Sequence, residues 1–191
     1  MRDRRPADWR TDLVGRHALE AEVARALDEH PLLSLEQRRT DSVCALDYLV
    51  RAPGERRVEV ELKAKLQRYV GWDAYRRDVD ERDLFILDEL ALRHIVDAGR
   101  YAFLVVRDAP SDRWCVWNTG DLVLTSKVRV ARRLATGRGR VKGKVLISMT
   151  EQSVVVPSLG AAVEALAADI LQVDRRWNDI APWPAPRPAL T

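Results

Sequence analysis

Two carboxylates and a lysine have the types and spacing to do chemistry together. Asp47 lies in the apolar run SVCALDYLV, and Glu61 and Lys63 lie in RRVEVELKAK, 14 positions on (61 minus 47). The second run alternates Val58, Val60, Leu62 and Ala64 against Glu59, Glu61, Lys63 and Lys65. A period of two places Glu61 and Lys63 on one face of a strand. Pairing that strand with the run holding Asp47 gathers two acids and an ammonium at one place, as a hard-metal hydrolytic site requires.

The elements that must position these residues follow from the flanking sequence. The turn residues APGE (52–55) join the two runs as a hairpin. Ahead of it, the spacing from Leu13 to Asp28 is helical, with Glu20 on the inward stripe beside Leu13, Ala24 and Leu27. Glu20 is either a functional carboxylate or a boundary residue reaching back to water, and His17 lies one turn before it. Pro31 ends the helix, and SLEQRR forms a short strand.

Beyond the hairpin the spacing predicts a helix over Glu81–Ala98, with Leu84, Leu87, Ala91 and Ile95 in a stripe and Gly99 as its stop. YAFLVV and RWCVWN read as strands. KVLISM and SVVV read as two further strands, and SLGAAVEALAADILQV as a closing helix. Residues 1–9 read as a charged flexible leader, residues 10–178 as one domain, and residues 179–191 as an extended or disordered proline-rich tail.

This order resembles the PD-(D/E)xK, or restriction-endonuclease-like, nuclease superfamily over roughly Leu13 to Arg107. The acid-x-lysine triplet reads Glu61-Leu62-Lys63, the strand aspartate is Asp47, and the helix glutamate of the resolvase-like branches is Glu20. Leu46 stands where the motif's proline would be, and Gln67 matches a glutamine that some members carry after the lysine. The resemblance implies an α/β fold: an αβββαβ core, a mixed sheet flanked by helices, with a C-terminal β-hairpin plus helix extension. It also implies hydrolysis of phosphodiester bonds, in DNA more than in RNA.

That reaction adds negative charge to the phosphoryl oxygens and needs water in line with the leaving oxygen. Mg²⁺ or Mn²⁺ suits carboxylate oxygens and keeps several waters, which makes Asp47 and Glu61 the expected ligands. The Leu62 carbonyl joins them by resemblance, and Glu20 holds a second ion or a water. Lys63 either orients and helps deprotonate the attacking water or neutralises charge in the transition state. A lysine beside two carboxylates tends to keep its proton, which favours the second role.

Charge is unevenly spread although the net is only +3. No acid occurs from Leu122 to Thr150, where Lys127, Arg129, Arg132, Arg133, Arg138, Arg140, Lys142 and Lys144 all fall. Its first half reads as helical, and the glycines of TGRGRVKGK read as a loop that lets backbone amides approach an anion. Upstream, Arg68, Arg76 and Arg77 interleave with Tyr69, Trp72 and Tyr75, and Lys65 lies one pleat beyond Lys63. These residues are the expected nucleic-acid contacts. The alternative is a non-catalytic nucleic-acid-binding module on the same fold, within a repair, recombination or defence complex.

Cys44 and Cys115 lie in apolar runs and read as reduced thiols. His17, His30 and His94 have no zinc spacing. No apolar run reaches membrane-spanning length and the N-terminus lacks a signal's apolar stretch, so a cytoplasmic protein without a membrane partner is expected. The basic loop and the tail each offer a homodimer or a larger complex a contact.

Overall fold

The alternation in RRVEVELKAK produces a ten-residue strand in the computed structural model, which describes residues 6–39, 45–133 and 141–180. In chain order the elements are α1 (Pro6–Asp28), β1 (Ser34–Arg38), β2 (Tyr48–Ala52), β3 (Arg56–Lys65), β4 (Leu84–Asp88), α2 (Glu89–Asp97), β5 (Ala102–Asp108), β6 (Arg113–Asn118), α3 (Thr119–Leu124), β7 (Val128–Arg133), β8 (Val141–Ser148), β9 (Val154–Val156) and α4 (Leu159–Ile180). A six-stranded mixed sheet runs β1-β2-β3-β5-β6-β9, and a three-stranded sheet runs β4-β8-β7.

Strands β2 and β3 are joined at residues 53–55, where Gly54 (φ 76°) and Glu55 (φ 55°) both take left-handed backbone. That loop sets the register Tyr48↔Val60 through Ala52↔Arg56. On its other side β3 pairs in parallel with β5, Glu61 against Leu104 and Lys63 against Val106. The long strand is therefore held from both sides at its centre.

The two faces of the large sheet serve different cores. Val58, Val60 and Leu62 pack with Val23 and Leu27 of α1 and with Ala162, Val163, Leu166 and Ile170 of α4. On the opposite face of the large sheet, Leu104, Val106, Cys115 and Trp117 pack against Phe85, Leu87, Val145 and Ile147 of the small sheet. Fully burying an aliphatic or aromatic side chain contributes about 1.5–3 kcal/mol, so these two layers fix where β3 lies. The architecture is mixed α/β, with a mixed sheet flanked by helices.

Several elements differ from those expected. The stretch read as one helix over Glu81–Ala98 is β4 followed by α2, whose N-cap is Asp88. Its apolar stripe suits a helix, but LFILD also suits a strand, and pairing with β8 (Leu84↔Ser148 to Asp88↔Lys144) decides the contest. The first half of the basic block is strand β7 rather than helix, with Val128 and Val130 packed against Val79, Leu84 and Leu146. KVLISM and SVVV do not form a hairpin, because β8 belongs to the small sheet and β9 pairs with β6 at the edge of the large one. Residues 6–9 of the expected leader already belong to α1, which opens on Pro6 as a first helical turn permits. Helix α4 runs to Ile180, two residues past the expected domain limit.

Candidate active site

Strand β2 begins at Tyr48, opposite Val60, so the next residues of β3 have no β2 strand residue beside them. Asp47 fills that edge with its side chain, and its Oδ2 accepts the Leu62 backbone N–H at 2.8 Å. Extending the register one step places Asp47 beside Glu61. The N–H and C=O of one strand residue point to the same side, so the Leu62 carbonyl faces the Asp47 side too. Both acids are nearly enclosed, at 6% exposure for Asp47 and 7% for Glu61.

Burial pushes the Asp47 carboxyl up to about 6 from an ordinary 3.8, and repulsion from Glu61 adds to it. Lys63, the Leu62 N–H and Arg16 pull the other way without cancelling it. Two enclosed carboxylates repelling one another is a charge excess that a bound cation relieves. Lys63 lies at the mouth, 30% exposed, and its Nζ donates to Glu61 Oε1.

Glu20 is 2% exposed and faces inward. Its carboxylate is already engaged: Oε1 accepts Arg16 Nε at 2.5 Å, while Oε2 is 3.3 Å from Arg38 Nη2 and 3.3 Å from His17 Nδ1. Burial alone would raise its pKa, but the hydrogen bonds from Arg16, His17 and Arg38, with the charge on Arg16, hold it below the ordinary 4.5. Tyr48 fixes the same turn of α1 by donating its hydroxyl to the Glu20 carbonyl at 2.9 Å. In this arrangement Glu20 anchors Arg16. The Arg16 guanidinium reaches past it to Asp47, with Nη2 3.9 Å from Oδ1.

The groups that could hold a cation are the Asp47 and Glu61 carboxylates and the Leu62 carbonyl, all hard oxygens of the kind that suits Mg²⁺ or Mn²⁺ completed by water. Among the described residues no three His, Cys, Asp or Glu side chains gather as a metal-binding cluster.

The expected nucleic-acid contacts divide. Lys65 is fully buried, donating to the Arg82 carbonyl at 2.6 Å, with Asp108 Oδ1 3.9 Å away and the Tyr69 ring beneath it. Arg76 is 3% exposed and donates to the carbonyls of Ser126 and Leu146 and to Glu151. Both are internal ties, and neither is available to a phosphate. Trp72 packs on the small sheet with Val79, Leu84 and Leu146, its ring 5.7 Å from that of Tyr75.

Within the basic block, the acidic partners come from outside it. Lys144 pairs with Asp88, Arg129 with Glu89 at 2.9 Å, and Lys127 donates to the carbonyls of Val123 and Thr125 at the end of α3. Arg138 and Arg140, and the side chains of Arg132, Arg133 and Lys142, lie outside the described residues. Arg68 and Arg77 are exposed and line a groove of about 760 Å³ with Arg82, Asp78, Asp80 and Glu81.

Arg16 is the site residue that sequence reasoning missed. Its only signal was the four-residue spacing to an inward glutamate on one helix. Cys115 is buried, and burial pushes its thiol up to about 12, so it is unreactive; Cys44 lies outside the described residues. No helix among the described residues is long and apolar enough to cross a membrane.

No protein-family model matches the chain, and no curated protein matches it in sequence. Among solved structures it is similar to D212, a nuclease from a fusselovirus, at 11% identity over 89% of this chain and 99% of that one, with a TM-score of 0.41.

Proposed function

We propose that the chain is a metal-dependent nuclease of the PD-(D/E)xK type, hydrolysing phosphodiester bonds in DNA in preference to RNA, and cutting internally. The observation that carries this reading is the meeting of Asp47 and Glu61 where β2 ends, with Lys63 donating to Glu61 at the mouth.

The residues divide the work. Asp47 is fixed by the Leu62 N–H through Oδ2, which leaves Oδ1 to hold the cation together with Glu61 and the Leu62 carbonyl. When bound, Mg²⁺ or Mn²⁺ supplies positive charge at the phosphoryl oxygens and makes water acidic enough to attack. Lys63, at the solvent side, offsets charge gathering on the phosphoryl group, and Glu61 restrains where its ammonium sits. Arg68 and Arg77 guide the flanking strand through its phosphates. A homodimer or a larger complex would extend this surface.

The test is incubation of purified protein with linear duplex, single-stranded and branched DNA and with RNA, in Mg²⁺ or Mn²⁺. Products that vanish with chelator and in Asp47→Ala support the reading. Cleavage unchanged in Asp47→Ala sinks it, and salt-sensitive binding without products on any substrate would assign a binding module instead.

A further inference from the structure

We infer that Arg16 is a phosphate clamp of this site, contacting the non-bridging oxygens of the scissile phosphodiester; this rests on the nuclease reading above. Three observations meet on it. First, its Nε is fixed at 2.5 Å by Glu20, a carboxylate only 2% exposed, while the Arg16 side chain itself is 52% exposed. A guanidinium anchored through one edge keeps its remaining donors pointed outward in a rigid fork.

Second, Nη2 is 3.9 Å from Asp47 Oδ1, beyond hydrogen-bond length. That oxygen is the one left free when Oδ2 takes the Leu62 N–H. An anion held by a cation on Oδ1 therefore comes within reach of the Arg16 fork.

Third, Glu20 is engaged by Arg38 and His17 as well as Arg16. With three cationic or polar partners on one acid, Arg16 is not consumed by charge balance, and a phosphate gives its other donors a partner. A long surface arginine placed only to neutralise Glu20 would not need to extend to Asp47. The geometry is that of a clamp: buried anchor, free fork, reacting group in front.

The test compares wild type, Arg16→Ala, Arg16→Lys and Lys63→Ala on a fluorescein-labelled 30-base-pair DNA duplex and its separate strand in Mg²⁺. Single-turnover cleavage by Arg16→Ala is expected to fall about 10²–10³-fold, the loss typical of one preorganised donor. Equilibrium binding of the same probes, read in the Lys63→Ala background so that they stay intact, should show a salt slope reduced by about one when Arg16→Ala is added. Arg16→Lys should keep the slope and lose at least about tenfold in rate, because it retains the charge without the fork. Should Arg16→Ala fail to fold, Arg16→Lys decides by that split between slope and rate. Wild-type rate in either variant, or an unchanged salt slope in Arg16→Ala, overturns the clamp while leaving the nuclease reading intact. Equal cleavage by wild type and Lys63→Ala, or no cleavage by wild type, overturns that reading and the clamp with it.

Discussion

Asp47 takes the place of a strand neighbour for Leu62: its Oδ2 accepts the Leu62 N–H at 2.8 Å at the point where β2 gives out. A side chain thereby completes the edge of β3 and is fixed beside Glu61. The same contact holds the carboxylate rigid and turns its second oxygen toward the site. A carboxylate so fixed would need little reorganisation on taking up a cation.

The raised pKa of Asp47 predicts a signature in stability. Its folded value of about 6 lies above the ordinary 3.8, so the folded form binds more protons in that window. The contribution is fully present below about pH 4 and is lost as pH rises through 6, amounting to about 3 kcal/mol at most. In metal-free buffer, Asp47→Asn should therefore unfold at higher temperature than wild type above pH 6, and the two should converge near pH 4. Asparagine keeps an oxygen for the Leu62 N–H. Thermal melts from pH 4 to 8 check this, and parallel curves for the two proteins would refute it.

Mg²⁺ should raise the melting temperature of wild type at pH 7.5, with the apparent affinity falling up to about tenfold per unit below pH 6 as Asp47 gains its proton. Glu20→Gln should retain this metal-dependent shift, since Arg16 and Arg38 already neutralise Glu20. Asp47→Asn should lose most of it. A shift abolished in Glu20→Gln would restore Glu20 as a ligand.

Lys65 and Arg68 lie three residues apart and should behave oppositely. Lys65→Ala removes the buried cation from the Arg82 carbonyl and from Asp108 Oδ1, while Arg113 stays on Asp108 Oδ2, and should lower stability by about 3 kcal/mol in denaturant titrations. The double variant Arg68→Ala with Arg77→Ala should leave stability within about 0.5 kcal/mol of wild type, because both side chains are exposed. Its affinity for DNA should drop with a salt slope smaller by about two. Unchanged binding would remove the groove from the substrate path.

Legibility in the sequence followed the range of the forces involved. The β2–β3 hairpin and the shared face of Glu61 and Lys63 were readable because period two and the APGE turn are local signals. Inward Glu20 was readable from helical spacing. Strand β4 was not, since LFILDELALRHIVDA satisfies a helical stripe, and only β8, some 60 residues later, selects the strand. β7 did carry a signal in the alternation of Val128 and Val130, masked by its arginines.

The charged residues were hardest to assign for the same reason. Lys65 and Arg76 look like surface cations until the carbonyls of Arg82 and Leu146 meet them across the fold. Lys144 and Arg129 find Asp88 and Glu89 outside a block that contains no acid of its own. Partners so distant leave no trace in composition.

The Mg²⁺-dependent cleavage rate of wild type against Lys63→Ala decides whether the Asp47, Glu61 and Lys63 group is catalytic. Lys63 is 30% exposed and bonds only to Glu61 among the described contacts, so its loss should leave the fold intact. Wild type should show chelator-sensitive cleavage, and Lys63→Ala a rate lower by about 10²–10⁴ at equal melting temperature. Equal rates in the two proteins would contradict a catalytic role.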